Sequence, residues 1–254
     1  MAYDFDGTDD FVTVTKATPA VDLSVFSIAF WLWCDSTATV NRNVYWSGGA
    51  WEFTFHSFLQ THSGGAQAGL LHFKTDWSTT HGSWSIATAP PGSWEHHVIT
   101  YDFSATTNDP VWYRNGASVT VTERNTPSGS SNAGQDSTNL RIGAGHDGTY
   151  ERWDGRVAEF AWWNRILTAG EAAILGKAYS PLFVPNGLVL YTPLVRATFD
   201  LKGGAGNSAS GAVPISHPRI IYPTSFQDRR FTTASGAATS VKDLIMAGIL
   251  PFAR

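Results

Sequence analysis

The sequence predicts an all-β protein: an antiparallel β-sandwich of jelly-roll type, with one short helix and an extended C-terminal arm. Three observations predict it. The composition is aromatic and weakly charged, with 11 Trp and 15 Phe among 254 residues and charged residues at 15%, against about 25% in typical domains. Short apolar runs recur between Gly, Pro, Asn and Ser turns, the pattern of stacked antiparallel strands. Finally, Asn115-Gly116 separates two alternating runs, where it supplies the positive φ angles of a type I′ hairpin.

Taken in order, Phe11 to Thr15 alternates apolar and polar side chains, as a half-buried strand does. Phe26 to Trp33 is apolar on both faces and predicts a central strand covered on two sides. Trp51 to Phe55 and Leu70 to Phe73 read as shorter strands, flanked by Gly48-Gly49 and Gly64-Gly65. Trp94 to Asp102 is a strand entered through Pro90-Pro91-Gly92, and Val111 to Val121 is the hairpin. Leu140 to Gly143 and Arg156 to Trp163 complete the series. Thr168 and Glu171 have capping-box spacing, so a helix starts there, runs through Leu175 and ends before Pro181.

Composition shifts near residue 200. Gly203 to Gly211 reads as a flexible linker, and three prolines between Pro214 and Pro223 oppose regular structure. Val241, Leu244, Ile245 and Ile249 share one face of a short helix near 240–249. The sequence therefore divides into a sandwich over 1–200 and a linker with C-terminal arm over 201–254. The arm has too little apolar content for a core of its own and needs a surface to order on.

A net charge of −4, with no cluster of Lys and Arg, argues against nucleic acid and against an anionic membrane surface. No apolar run approaches the ~20 residues that span a bilayer. Met1 to Phe5 offers no basic or apolar leader, so no signal peptide is expected. The single cysteine, Cys34, excludes an internal disulfide and reads as a small buried hydrophobe.

No catalytic residue is expected. Paired carboxylates for glycoside cleavage would share a strand face at alternate positions, and no strand here carries such a pair. Glu151 and Asp154 fall in a loop, and Asp9 and Asp10, being adjacent, are read as facing opposite ways. His96 and His97 are also adjacent on a strand and cannot share a metal ion; no nucleophile elbow, phosphate loop or dinucleotide fingerprint occurs. Neither a cofactor nor a metal is expected.

Aromatic side chains in polar loops suggest binding instead. Trp77, His81 and Trp84 form one group, and Tyr150 and Trp153, beside Asp147, form another. Indole and phenol rings stack on the C–H faces of sugars while Asp, Asn and His bond the hydroxyls. The alternative is that these aromatics anchor their loops to the core or meet a neighbouring subunit.

Several segments in order resemble the laminin G-like branch of the concanavalin A-like lectin/glucanase superfamily, together covering about residues 3–200. Phe5 to Val12 resembles its F-D-G-x-x-D opening, and Ser27 to Leu32 its S-x-x-F-W-x strand. Trp94 to Asp102 is similar to W-x-H-V-x-x-T-Y-D, and Val111 to Gly116 to the x-Y-x-N-G hairpin. Leu140 to Gly143, Gly155 to Phe160 and Trp163 to Leu167 resemble its closing I-G … G-x-I-D-E-x … Y-N-R-A-L run. The resemblance implies a two-sheet sandwich and, in relatives, a structural Ca²⁺ held partly by the Asp before the Glu. Ala158 stands at that place here, leaving loop oxygens from Asp6, Asp9, Asp147 and Asp154 as candidates.

The tail His217 to Pro223 resembles those of laminin G-like proteins encoded by bacteriophages. On that resemblance the expected role is a non-enzymatic structural protein of the virion: a capsid decoration or cement protein, or a fibre-associated one. It would be assembled in the host cytoplasm, form homo-oligomers on the particle, and dock on capsid or tail proteins through the arm. Arg219, Ile221, Tyr222, Phe226, Phe231, Leu244, Ile245 and Ile249 are the expected docking residues. The alternative is a lectin-like carbohydrate-binding or host-receptor-binding module, with a host glycan as partner.

Overall fold

The computed structural model describes residues 2–16, 23–35, 41–47, 57–61, 70–87, 91–131, 139–145, 148–194, 201–202, 204–216, 219–223, 231–232 and 238–239. In chain order the strands are β1 (Ala2–Asp6), β2 (Phe11–Lys16), β3 (Val25–Cys34), β4 (Arg42–Ser47), β5 (Ser57–Thr61), β6 (Leu70–Thr75), β7 (Gly82–Ala87), β8 (Trp94–Asp102), β9 (Val111–Arg114), β10 (Ala117–Val119), β11 (Thr122–Asn125), β12 (Asn139–Ile142) and β13 (Asp154–Trp163). Helix α1 (Ala169–Gly176) follows, then β14 (Leu188–Thr192), β15 (Gly204–Ser210) and β16 (Val213–Ile215). Residues 231–232 and 238–239 pair as a small separate ribbon.

The strands form two antiparallel sheets. Sheet A runs β10-β9-β8-β3-β13-β1-β16, with β14 also paired to β13; sheet B runs β11-β7-β6-β5-β4-β12-β2-β15. Their inner faces share one apolar cluster, in which Phe26, Phe30 and Trp162 of sheet A meet Phe73, Trp84 and Leu140 of sheet B. Dense ring contacts fill it, such as Phe26 to Phe73 at 6.3 Å and Tyr45 to Phe160 at 5.4 Å. Such pairs add to area burial through edge-to-face geometry.

The outer face of sheet A is covered as well. Ala29, Val98, Ala161 and Trp163 pack under Ala172 and Leu175 of α1, with Val184 and Tyr191. This explains why β3 reads as apolar on both faces. The capping box forms as expected, with the Thr168 hydroxyl accepting from the Glu171 amide. At the hairpin, Asn115 (φ 51°) and Gly116 (φ 81°) both take positive φ, and the Asn115 side chain accepts from the His96 amide at 2.8 Å.

Three expectations change. The glycine-rich tract read as a linker is β15, paired with β2 from Gly204↔Lys16 to Ser210↔Phe11. Small residues weaken strand propensity, but an edge position needs pairing on one side only. Val213 to Ile215, read as proline-disrupted, is β16, paired with β1; Pro214 is tolerated because this strand is also an edge. The chain beyond 200 thus adds an edge strand to each sheet. Lastly, Asp9 and Asp10 lie in the turn after β1 rather than on a strand, so strand alternation does not separate them. The expected strand at Trp51 to Phe55 and the helix near 240–249 lie outside the described residues.

Candidate functional site

Sheet B turns a polar face away from the core. Alternation along β6 points Leu71 and Phe73 inward and His72 and Lys74 outward. Across the sheet Lys74 stands opposite Ser83, and His72 opposite Ser85. On the other flank Arg141 stands opposite Trp46 and Thr13. Trp46 and His72 are buried although they face away from the core. Lys74 is a half-buried cation on this face. Burial holds its pKa below the usual lysine value, while Glu151 and Asp76 pull the other way. His81 belongs to the same group: desolvation and the Lys74 charge lower its pKa, with Asp76 opposing. Its Nε2 lies 2.8 Å from the Asn125 side-chain nitrogen.

The loop 148–153 borders this face. Glu151 adopts φ 54°, a left-handed conformation rare outside glycine. It is held there from both ends. Its carbonyl accepts from the Asn43 amide at 2.6 Å, and its carboxylate accepts from the side chains of Asn43 at 2.6 Å and Asn41 at 3.3 Å. The Tyr150 carbonyl accepts from the Gly145 amide. The turn so fixed presents the Tyr150 ring, 69% exposed, to solvent.

Of the five residues expected to stack sugars, only Tyr150 and His81 are exposed. Trp84 is fully buried: its Nε1 donates to Asp109 at 2.6 Å and its ring packs on Phe73 and Tyr101. Trp77 packs on Phe103 at 5.6 Å, and Trp153 lies in the main core. These three indoles anchor loops and have no face to offer a ligand. Polar flanking sequence misled here, because a large ring in a polar segment can turn inward.

The histidine pair also divides. His97 faces the core, where its Nδ1 accepts from Trp112 Nε1 at 3.1 Å; His96 packs on Trp31 on the opposite face. Burial holds both pKa values near 3.

Asp6, Asp9 and Asp10 bring ligand oxygens within 4.8 Å of one another. Their oxygens already serve the turn: Asp6 Oδ1 accepts from the Thr8 amide at 2.7 Å, and Asp10 Oδ2 from the Asp6 amide at 3.0 Å. Ca²⁺ takes 6–8 oxygens, so these residues do not by themselves form its cage. Asp154 pairs with Arg42 at 2.9 Å, Asp147 lies outside the described residues, and Ala158 is buried against Ala2, Trp31 and Ile220.

One group escaped the sequence reading. Glu159 (φ 55°) sits at the irregularity in β13, where the neighbouring strand changes from β1 to β14. It is buried, and its carboxyl accepts from the phenols of Tyr191 and, at 2.9 Å, Tyr222. Burial raises its pKa to about 7 against the lowering effect of those two hydrogen bonds. Tyr222 belongs to the expected docking arm and is therefore bonded to the sandwich itself. Arg219 and Ile221 are exposed beside it. Phe226, Leu244, Ile245 and Ile249 lie outside the described residues, and Phe231 begins the small ribbon. The available signal was a lone carboxylate within Val157 to Trp163, an otherwise apolar strand.

The family model of laminin G-like domains, described as "Concanavalin A-like lectin/glucanases superfamily", matches residues 6–173. No curated protein sequence matches the chain. Among solved structures, a Bacteroides ovatus protein named for carbohydrate binding superposes with TM-score 0.60 at 16% identity, over 84% of this chain and 58% of that one. This chain therefore spans less than two thirds of that protein's length. A heptameric SAP-like pentraxin from Limulus polyphemus gives 0.49 at 14% identity, over 69% of this chain and 81% of that one. Mouse laminin α1 domains LG4-5 give 0.49 at 13%, over 66% and 43%.

Proposed function

Since the chain belongs to the concanavalin A-like lectin/glucanase superfamily, we propose that it is a non-enzymatic glycan-binding module whose ligand lies on the outward face of sheet B. The observation that carries this is the loop 148–153, strained at Glu151 and stitched to β4. It sets an exposed Tyr150 ring beside a face whose polar groups gather around Lys74. Strain held by surrounding bonds is a mark of functional loops. A sugar would stack on Tyr150 and meet Lys74, Asp76 and His81 with its hydroxyls, the mixture of one ring and a few polar groups that orients a small ligand. Glu151 would position the loop rather than move protons. The Bacteroides ovatus protein's name lends this support at the level of fold. A glycan microarray probed with wild type and Tyr150→Ala tests it. Binding by wild type and a weakened or altered glycan profile in the variant are expected; silence of both would remove the proposal.

We also propose a setting for such a module: a bacteriophage particle, with the chain as a homo-oligomeric structural protein docked on capsid or tail. What favours this is that Tyr222 fixes the root of the C-terminal segment to Glu159. The segment beyond residue 223 then starts from a defined point on the sandwich. A chain ending at residue 223 that still joined particles at full occupancy would overturn the docking role.

A further inference from the structure

We propose that the outward face of sheet A carries a second glycan strip, formed by Trp94, Trp33, Arg156 and Asp4, that takes an extended β-1,4-linked oligosaccharide. The inference rests on the glycan-binding reading of the chain but concerns a face on the opposite side of the sandwich from Lys74 and Tyr150.

Four strands place these residues in one line. Trp94 stands opposite Trp33, Trp33 opposite Arg156, and Arg156 opposite Asp4. With neighbouring strands about 4.8 Å apart, the line is about 14 Å long, enough for a short run of sugar rings. The adjoining line is closed: Trp31, Ala158 and Ala2 pack beneath Ile220 and Tyr222. Among the described residues the cover ends there: Trp94 packs against its edge, and Trp33 lies beside Trp94 on the next strand. Among the described residues these are the only tryptophans that are not buried. Both are half-buried, and as neighbours on adjacent strands they share one partly open patch.

The strip is ordered before any ligand arrives. The two indoles meet edge to face with centroids 5.8 Å apart. The Arg156 guanidinium lies 4.7 Å from the Trp33 ring centroid, and its Nε donates to Asp4 Oδ1 at 3.3 Å. Trp33 Nε1 donates to Asp35 Oδ1 at 2.7 Å. Beneath, Gly155 (φ 141°) lets β13 approach so closely that a Cβ there would stand 2.1 Å from the Trp33 carbonyl oxygen. A ligand therefore meets fixed rings and loses little affinity to ordering them. Arg156 has four more N–H donors beyond the one given to Asp4.

Rings alternate here with charged hydrogen-bonding groups at single-strand spacing, without the continuous apolar centre that a protein interface dehydrates. An all-equatorial pyranose chain has the same alternation, apolar C–H faces edged by hydroxyls. Nothing in the strip needs a phosphate or sulfate on the sugar, since Asp4 and Asp35 offset the Arg156 charge.

The full chain labelled with 5-fluorotryptophan is to be titrated with cellotetraose and, separately, chitotetraose, and followed by fluorine NMR. Trp33→Phe and Trp94→Phe assign the two signals. Those signals are expected to move with at least one sugar while those of buried indoles hold, and Arg156→Ala is expected to weaken binding about tenfold. If a tryptophan variant does not fold, Arg156→Ala alone carries the test. Stationary signals with both sugars overturn the strip, as does binding that survives Arg156→Ala and is lost in Tyr150→Ala, which would leave the sheet B face standing alone. Movement of both signals in a Tyr150→Ala protein supports the strip as a site separate from the sheet B face. Movement with protein concentration in the absence of sugar assigns the surface to self-association and overturns the proposal.

Discussion

Glu159 and Glu151 share a backbone conformation, with φ of 55° and 54°, and differ in almost everything else. Each spends roughly 1 kcal/mol or more to sit in the left-handed region, and each is held by two side-chain donors. Glu159 is buried and held by two phenols, one of them from the C-terminal segment. Glu151 lies nearer the surface and is held by two asparagine amides, Asn43 in β4 and Asn41 just before it. Solvent makes the difference. The same strained turn, buried, fastens the C-terminal segment to the sandwich; at the rim, it shapes a loop that a ligand can reach.

The contrast is open to attack first at Glu159. At pH 5, Glu159→Ala is expected to cost about 3 kcal/mol in urea unfolding, because a buried phenol and a half-buried one lose their partner. A loss near zero would mean that the carboxyl only fills space. Acidity provides the second test. The folded pKa of about 7 lies above the ordinary 4.5, so the stabilising contribution is complete below 4.5 and disappears as pH rises through 7. Over that interval about 3 kcal/mol is expected to go. His96 and His97, lowered to about 3 by burial, act in the opposite sense, losing stability as pH falls below about 6.5. The difference between wild type and Glu159→Gln across pH 4.5–7 therefore isolates the carboxyl; parallel curves would contradict it.

Smaller effects follow. Tyr222→Phe removes one hydrogen bond and is expected to cost about 1 kcal/mol, with faster proteolysis near residues 219–223; equal cleavage rates would show that the segment is not fastened there. Tyr150→Ala is expected to change stability by less than about 0.5 kcal/mol while removing glycan binding at the sheet B face. A large stability loss would turn Tyr150 into a packing residue and remove the contrast with Glu159.

Much of the fold was legible because strand signals are local. Phe26 to Trp33, the Asn115-Gly116 turn and the Thr168–Glu171 cap each carry their own evidence within a few residues. The edge strands were not legible. Gly204 to Ser210 has poor propensity and becomes a strand only because β2 offers it an open edge. Site residues were least legible, since exposure is a property of the assembled sheets. Trp84 and Tyr150 both sit in polar sequence, yet one is buried under Tyr101 and the other stands in solvent. Glu159 acquires its meaning only when Tyr191 and Tyr222 arrive from later in the chain.

The most direct test of the account is a map of where a sugar touches the protein. Backbone amide shifts are to be recorded on adding the strongest glycan found by microarray. Perturbations concentrated on 148–152, β6 and the start of β7 are predicted. Shifts confined to other surfaces, with those segments unmoved, would contradict a binding face on sheet B.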